Sequence, residues 1–317
     1  MAYPIAGTPF GGPNPNPAYS GTFIPEIWSS KLIEKFYDAC VLAAISNTDY
    51  EGEIKNKGDK VKIRTKPTIT IRGYSANQTL VLERPSSNIV ELLIDQGNYF
   101  NTVLDDVMEV QSDLQQLSMW ADDASEQIKI VVDRAVLRTL FADIAAANKG
   151  ATAGRISQNV NLGTTGAGAR AVTKADVLDL IVDFGQVLDE QNIPETGRWC
   201  IIPAWISGLI KKSDLRDASL SGDGTSILRN GRLGMIDRFT LYGSNLLPAG
   251  VADSLAAGET MVLAGHQHGL TFASQISKVE TLRSESTFGT IMRGLEVHGS
   301  KVLDGIAITA AIVKKGP

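Results

Sequence analysis

Between Pro85 and Pro194 the chain contains no proline, and within that span Val107, Val110, Leu114, Leu117, Ala121, Ala124, Ile128, Val131 and Ala135 keep an unbroken 3,4,3,4 spacing. Residues three and four apart share a helix face, so the pattern predicts one apolar stripe on one long α-helix. Phe141 and Ile144 carry the stripe towards Asn148 and Gly150, which are stop signals. The resulting helix is about 40 residues, or ~60 Å at 1.5 Å per residue, where an ordinary helix has about 12. Such a helix needs a surface to lie on. Its e and g positions lack a systematic Glu/Lys scheme, which favours a spine laid against a sheet over a coiled coil.

Upstream, residues 1–25 hold six prolines and four glycines, which neither propagate a helix nor fill a strand ladder. This predicts an extended arm, anchored by a short amphipathic helix through Ile27, Trp28, Leu32, Ile33, Phe36 and Tyr37. From Lys60 to Lys66 polar and apolar residues alternate strictly: Val61 and Ile63 share one face, and Lys60, Lys62, Arg64 and Lys66 share the other. Ile69 and Ile71 resume the alternation after Pro67, and Ile89–Ile94 is a further β-prone run, so residues 51–95 read as a long antiparallel hairpin. A lone hairpin is marginal in water and requires a partner surface.

Downstream, residues 149–171 are a Gly, Ala, Ser and Thr-rich connection. Thr173 and Asp176 form a capping pair for a helix whose apolar face is Val177, Leu180, Ile181, Phe184, Val187 and Leu188, ended by Pro194. A buried strand at Arg198–Ile202, a helix opened by Pro203, a polar loop at 213–225, an Asn230-Gly231 tight turn and a closing strand at Ile306–Val313 follow. A chain of 317 residues buries about three quarters of its unfolded surface, so no staple is required. Cys40 and Cys200 sit far apart in apolar sequence and give no disulfide or metal spacing, which favours intracellular folding.

Chemistry is hard to find. Gly163-Thr-Thr-Gly-Ala-Gly168 lacks the Lys-Ser/Thr pair and the preceding strand of a phosphate loop. His266 and His268 alternate at a strand end, but two imidazoles without a neighbouring Cys or carboxylate do not make a metal site, and His298 is remote in sequence. No Gly-x-Ser-x-Gly elbow occurs, neither cysteine has a basic neighbour, and the pairs Asp105-Asp106 and Asp122-Asp123 diverge by about 100° on a helix. No cofactor is expected. The longest uncharged apolar run, Gly305–Val313, is nine residues, short of the ~20 that a membrane-spanning helix needs. The uncharged first 25 residues do not resemble a signal peptide, and a pI near 5.3 argues against a dedicated nucleic-acid binder.

What remains is an electrostatic asymmetry. Residues 54–72 carry seven basic side chains and one acidic, whereas residues 91–126 carry nine acidic and no basic ones. The net charge of −5 conceals two complementary blocks. Between subunits, the hairpin of one copy could lie across the acidic helix of the next.

Several strings resemble one family. They are Ser20-Gly-Thr-Phe-Ile-Pro-Glu-Ile-Trp28, Lys57-Gly-Asp-Lys-Val-Lys-Ile-Arg64, and Asn230-Gly-Arg-Leu-Gly-Met-Ile-Asp-Arg-Phe239 leading into Tyr242-Gly-Ser-Asn245. The runs Phe272–Glu280 and Arg293–Gly299 are also similar. Together with the order of parts, they resemble the major capsid proteins of tailed double-stranded DNA bacteriophages, the Hong Kong 97-like fold. Asp237-Arg238 stands where glycine is common before the aromatic residue.

The resemblance implies an α+β subunit with an N-terminal arm (1–46), an extended β-hairpin loop (47–95), a peripheral domain with the spine helix (96–169 and 286–317) and an axial domain (170–285). It implies self-assembly into pentamers and hexamers of an icosahedral head, without enzymatic activity. Implied partners are a separate scaffolding protein, a portal protein, a possible decoration protein and double-stranded DNA packaged without sequence recognition, with no membrane. The setting implied is the virion, made in the host cytoplasm. The interface expectation is that Lys60, Lys62, Arg64 and Lys66 dock near Asp105, Asp106 and Glu109 of a neighbour. An encapsulin-like compartment shell, which shares the fold, and from another class an intracellular hydrolase, are the alternatives.

Overall fold

The computed structural model describes residues 37–49, 60–67, 69–87, 89–106, 116–213, 234–285 and 288–316, with 116–118 and 275–277 described by backbone only. The arm and its anchoring helix up to Phe36, the Asn230-Gly231 turn, Glu109 and the stripe residues Val107, Val110 and Leu114 lie outside those residues.

The long helix is present as α2, Gln116–Asp143, preceded by a single helical turn, α1, at Leu42–Ile45. Its buried face differs from the predicted one. Val132, Asp133, Val136, Leu137 and Leu140 are buried, with Ile144 just beyond the helix, whereas Val131 is 50% exposed and Ala135 is exposed. A 3,4 repeat averages 3.5 residues while the helix turns every 3.6, so a strict repeat drifts by about 20° per heptad. By the last turns the true stripe lies one residue further on.

The surface under α2 is a six-stranded sheet ordered β4-β11-β8-β5-β7-β6: Arg170–Val172, Ile308–Lys315, Glu259–His266, Arg198–Ile202, Phe239–Gly243 and Met235–Ile236. Its central strands β11, β8 and β5 are buried on both faces, which is why they read as nearly continuous apolar runs. Trp199, Ile201, Met261, Leu263, Ile308, Ala310 and Ile312 face α2 and α1. Cys200, Ile202, Val262, Ala264, Ala311 and Val313 face α3 (Val177–Glu190) and α4 (Ala204–Lys212). The six residues predicted for the apolar face of α3 are all buried. β11, grouped by sequence with the spine helix, pairs with β4 and β8. It therefore serves both cores, with Ala310 on one side and Ala311 on the other.

A second sheet, β3-β10-β9, is formed by Gln96–Asp105, Gly289–Val302 and Leu270–Arg283. The hairpin pairs β1 (Lys60–Arg64) with β2 (Ile89–Leu93) antiparallel, Lys62 opposite Glu91. Its inner face has found a partner surface: Leu92, Ile94 and Ala273 form a small core with Val61, Ile63 and Val297. The predicted continuation at Ile69 and Ile71 is not a strand; both side chains are exposed, Ile71 by 90%. Pro67 cannot donate to a ladder.

Candidate assembly surfaces

The basic face of the hairpin follows from strand alternation. Lys60, Lys62 and Arg64 point outward from β1, and Lys66 is exposed just beyond it. Glu91, directly across on β2, lies 3.9 Å from the Lys60 ammonium and 3.5 Å from that of Lys62. Among the described residues no ion pair joins Arg64 or Lys66. The acidic block also has partners within the chain. Asp106 binds the guanidinium of Arg283, one bond at 2.9 Å and a shorter second one. Tyr37 donates its hydroxyl to Asp123 at 2.8 Å, which holds the phenol above its usual range, and Glu126 pairs with Lys129 at 2.6 Å. The two blocks are thus partly answered inside one subunit.

The β3-β10-β9 sheet has one face towards α2, where Lys129 lies near Glu296, and one face open. Cross-strand registers set three rows on the open face: Val103–Ile291–Leu282, Asn101–Arg293–Glu280 and Tyr99–Leu295–Lys278. Tyr99 is 79% exposed, and Val103, Leu282 and Leu295 are also exposed. Arg293 and Lys278 both engage Glu280 between these apolar rows, holding its carboxyl low. The loop joining β1 to β2 exposes Ile69, Tyr74, Leu80, Val81 and Leu82 as well. Large exposed apolar side chains on one sheet face and one loop are suited to burial against another molecule.

A family model for phage capsid proteins matches residues 99–311, from within β3 to within β11. The chain belongs to the phage capsid protein family. The solved structures it resembles agree along nearly its whole length. The structure described as Mycobacterium phage Che8 is 26% identical with a TM-score of 0.74, covering 92% of this chain and 98% of that one. The capsid structure of the cyanophage P-SCSP1u is 15% identical with a TM-score of 0.70, covering 93% and 94%. The capsid of a native GTA particle is 15% identical with a TM-score of 0.66, covering 94% and 97%. No curated protein matches. The fold is thus the Hong Kong 97-like one that the sequence resembles, and the protein is a phage major capsid protein. As a virion component, it self-associates into capsomers. The compartment-shell and hydrolase alternatives are not favoured.

The glycine-rich loop and the histidine pair have structural work in this capsid subunit. Glu259, 3% exposed, accepts bonds from the Gly166 N–H at 2.8 Å and the Thr165 hydroxyl at 3.1 Å, so a carboxylate occupies the glycine-rich loop where a phosphate would have to sit. His266 Nδ1 accepts the His268 N–H at 3.1 Å and caps the turn after β8. Burial pushes the Cys200 thiol up to about 12, and partial desolvation with the nearby charges of Asp133 and Glu126 raises the exposed Cys40 thiol to about 11. Among the described residues no group of three or more His, Cys, Asp or Glu could hold a metal ion.

Other contacts gave no signal in the sequence, and most join residues distant in it. Asp133 accepts the Val41 N–H at 2.6 Å and the Leu42 N–H at 3.3 Å, tying the segment around α1 to the spine helix. Asn47 continues the tie, donating to Leu270 at 2.8 Å and accepting from Phe272 at 3.0 Å. Arg198, 1% exposed, donates to Asp189 at 2.6 Å, and Arg238 reaches the same carboxylate at 2.9 Å and Glu195 at 2.7 Å.

Proposed function

We propose that this subunit tiles an icosahedral head as pentamers and hexamers around double-stranded DNA, which it holds without reading sequence. The reading is supported most by one observation: the β1–β2 hairpin is secured at its base but leaves Ile69, Ile71, Leu80 and Leu82 between 62% and 95% exposed. A stable monomer does not present such a loop, whereas a subunit completed by its neighbours does. In this reading residues 1–46 are the arm, 47–95 the extended loop, 96–169 and 286–317 the peripheral unit and 170–285 the axial unit. Assembly takes place in the host cytoplasm with a separate scaffolding protein, a portal protein supplies one vertex, and decoration proteins can bind outside. The role is structural rather than enzymatic. Lys60, Lys62, Arg64 and Lys66 of one subunit dock near Asp105, Asp106 and Glu109 of the next, Lys60 and Lys62 there competing with their own Glu91.

The test is direct. Co-expression with the scaffolding protein should yield closed shells visible by electron microscopy. A chain that stays monomeric by light scattering under every assembly condition, scaffold included, would refute the proposal.

A further inference from the structure

The β3–β10 ladder ends at the rung pairing Gln96 with His298, and one residue earlier, at Asp95, the chain turns into β2 and the hairpin. On the other side of β10 the register to β9 shifts between Val297 and His298, so the imidazole sits at a bulge. At the following residue, Gly299, any Cβ would collide with the Leu93 carbonyl, so β2 presses directly on β10 here. His298 therefore stands where the hairpin departs from the body of the subunit.

The imidazole is 2% exposed and its Nδ1 has no hydrogen-bond partner among the described residues. It lies 5.7 Å from the Phe272 ring of β9 and lines a cavity of about 270 Å³ between the hairpin base, α2 and β10. The charged groups there come from each element around it. Asp95 belongs to the hairpin base; Asp143 of α2 is neutralised by Lys301 of β10 at 2.8 Å; Glu296, also on β10, faces Lys129 of α2. Asp95 is the carboxylate whose charge acts on the ring.

We propose that His298 is a proton-responsive pivot that sets how firmly the hairpin is held against the subunit body. Burial holds the imidazole below its usual range, with Asp95 opposing, so the ring is neutral at pH 7 and fills the seam as an apolar plate. Acid protonates it. The cation needs an acceptor at Nδ1 where no described residue supplies one, and the adjoining cavity, which Asp95, Thr139, Asp143 and Ser300 also line, is large enough to supply water instead. Hydrating the ring loosens the contact of β2 with β10. The pivot stands on the subunit alone, while its consequence for the reach of the hairpin rests on the shell reading above.

Hydrogen exchange of peptides covering residues 89–98 in the purified, unassembled full-length chain tests this, with rates corrected for intrinsic pH dependence. Corrected opening should rise at least fivefold from pH 7.5 to 5.0, and His298→Gln should flatten that step. Asp95→Asn, which leaves the buried ring in place, should move the midpoint to lower pH. No step in the parent chain, an unchanged step in His298→Gln, or an unmoved midpoint in Asp95→Asn would each overturn the proposal. Because no shell is required, the outcome is independent of whether particles form.

Discussion

Two carboxylates with opposite environments show how single residues hold this subunit together. Asp133 is the one acidic side chain on the described buried face of the spine helix, 3% exposed, and both its oxygens are committed to backbone N–H groups of residues 41 and 42. Removing it strands two buried donors, each costing about 1–3 kcal/mol. Asp133→Ala should therefore lower unfolding stability by about 2–4 kcal/mol in urea melts, with Asp133→Asn near half of that because one oxygen still accepts. Burial raises the Asp133 carboxyl above its usual range, against the two N–H bonds that lower it, so the folded state takes up this proton more readily than the unfolded one and acid does not weaken the fold through it. Glu190 behaves the other way. Desolvation pushes it up, but bonds from the Ser157 hydroxyl, the Ile156 and Ser157 N–H groups and Gln186 outweigh that and hold it at about 2. Its contribution is present above the unfolded value of about 4.3 and is lost as pH falls towards the folded one. Glu190→Gln should accordingly lower stability at pH 7 and flatten its decline between about pH 4.5 and 2; an unchanged acid limb would reject the assignment.

Among the elements, the β6–β7 turn is built without glycine. Asp237 and Arg238 both have positive φ, 45° and 67°, the geometry of a two-residue turn that Asn-Gly normally fills. The strain is offset by the Arg238 guanidinium, which clamps Asp189 at the end of α3 and Glu195 beyond it. Arg238→Ala keeps the strained backbone and loses the clamp, whereas Arg238→Gly loses the clamp but relaxes the backbone. The alanine variant should be less stable than the glycine variant by about 1 kcal/mol in thermal melts, and the reverse order would show that strain is absent. This turn also marks the limit of what the sequence reveals. The face of α3 is legible residue by residue because its periodicity and its partner sheet agree. The final turns of α2 are misread by one position, since a 3.5-residue rule accumulates error along a long helix. The Asp133 tie joins residues 92 apart and leaves no local pattern at all. The cis partner of Asp106 is hidden for the same reason, because Arg283 is 177 residues away.

For the whole molecule, those cis pairs change how the two charge blocks should be tested. Reversing Lys62 and Arg64 together should impair shell assembly, but it also places a carboxylate opposite Glu91 and so disturbs the hairpin itself. Reversing Arg64 and Lys66 avoids that, because no described residue forms an ion pair with either. A single exposed pair contributes about 0–1 kcal/mol, too little to matter between two subunits in isolation. Around a shell the same contact recurs at every neighbour, and like-charge juxtaposition is costlier than a lost attraction. Arg64→Glu with Lys66→Glu should therefore cut the yield of closed particles by about tenfold at 0.1 M salt, where the screening length is about 10 Å. At 1 M salt that length falls to about 3 Å, so the gap between variant and parent should narrow as repulsion is screened. Particle counts by microscopy across that range, alongside a hairpin exchange profile matching the parent, separate a broken interface from a misfolded loop. Normal yields of the double variant at every ionic strength would remove the basic face from the interface and leave the exposed apolar residues 69–82 to carry it.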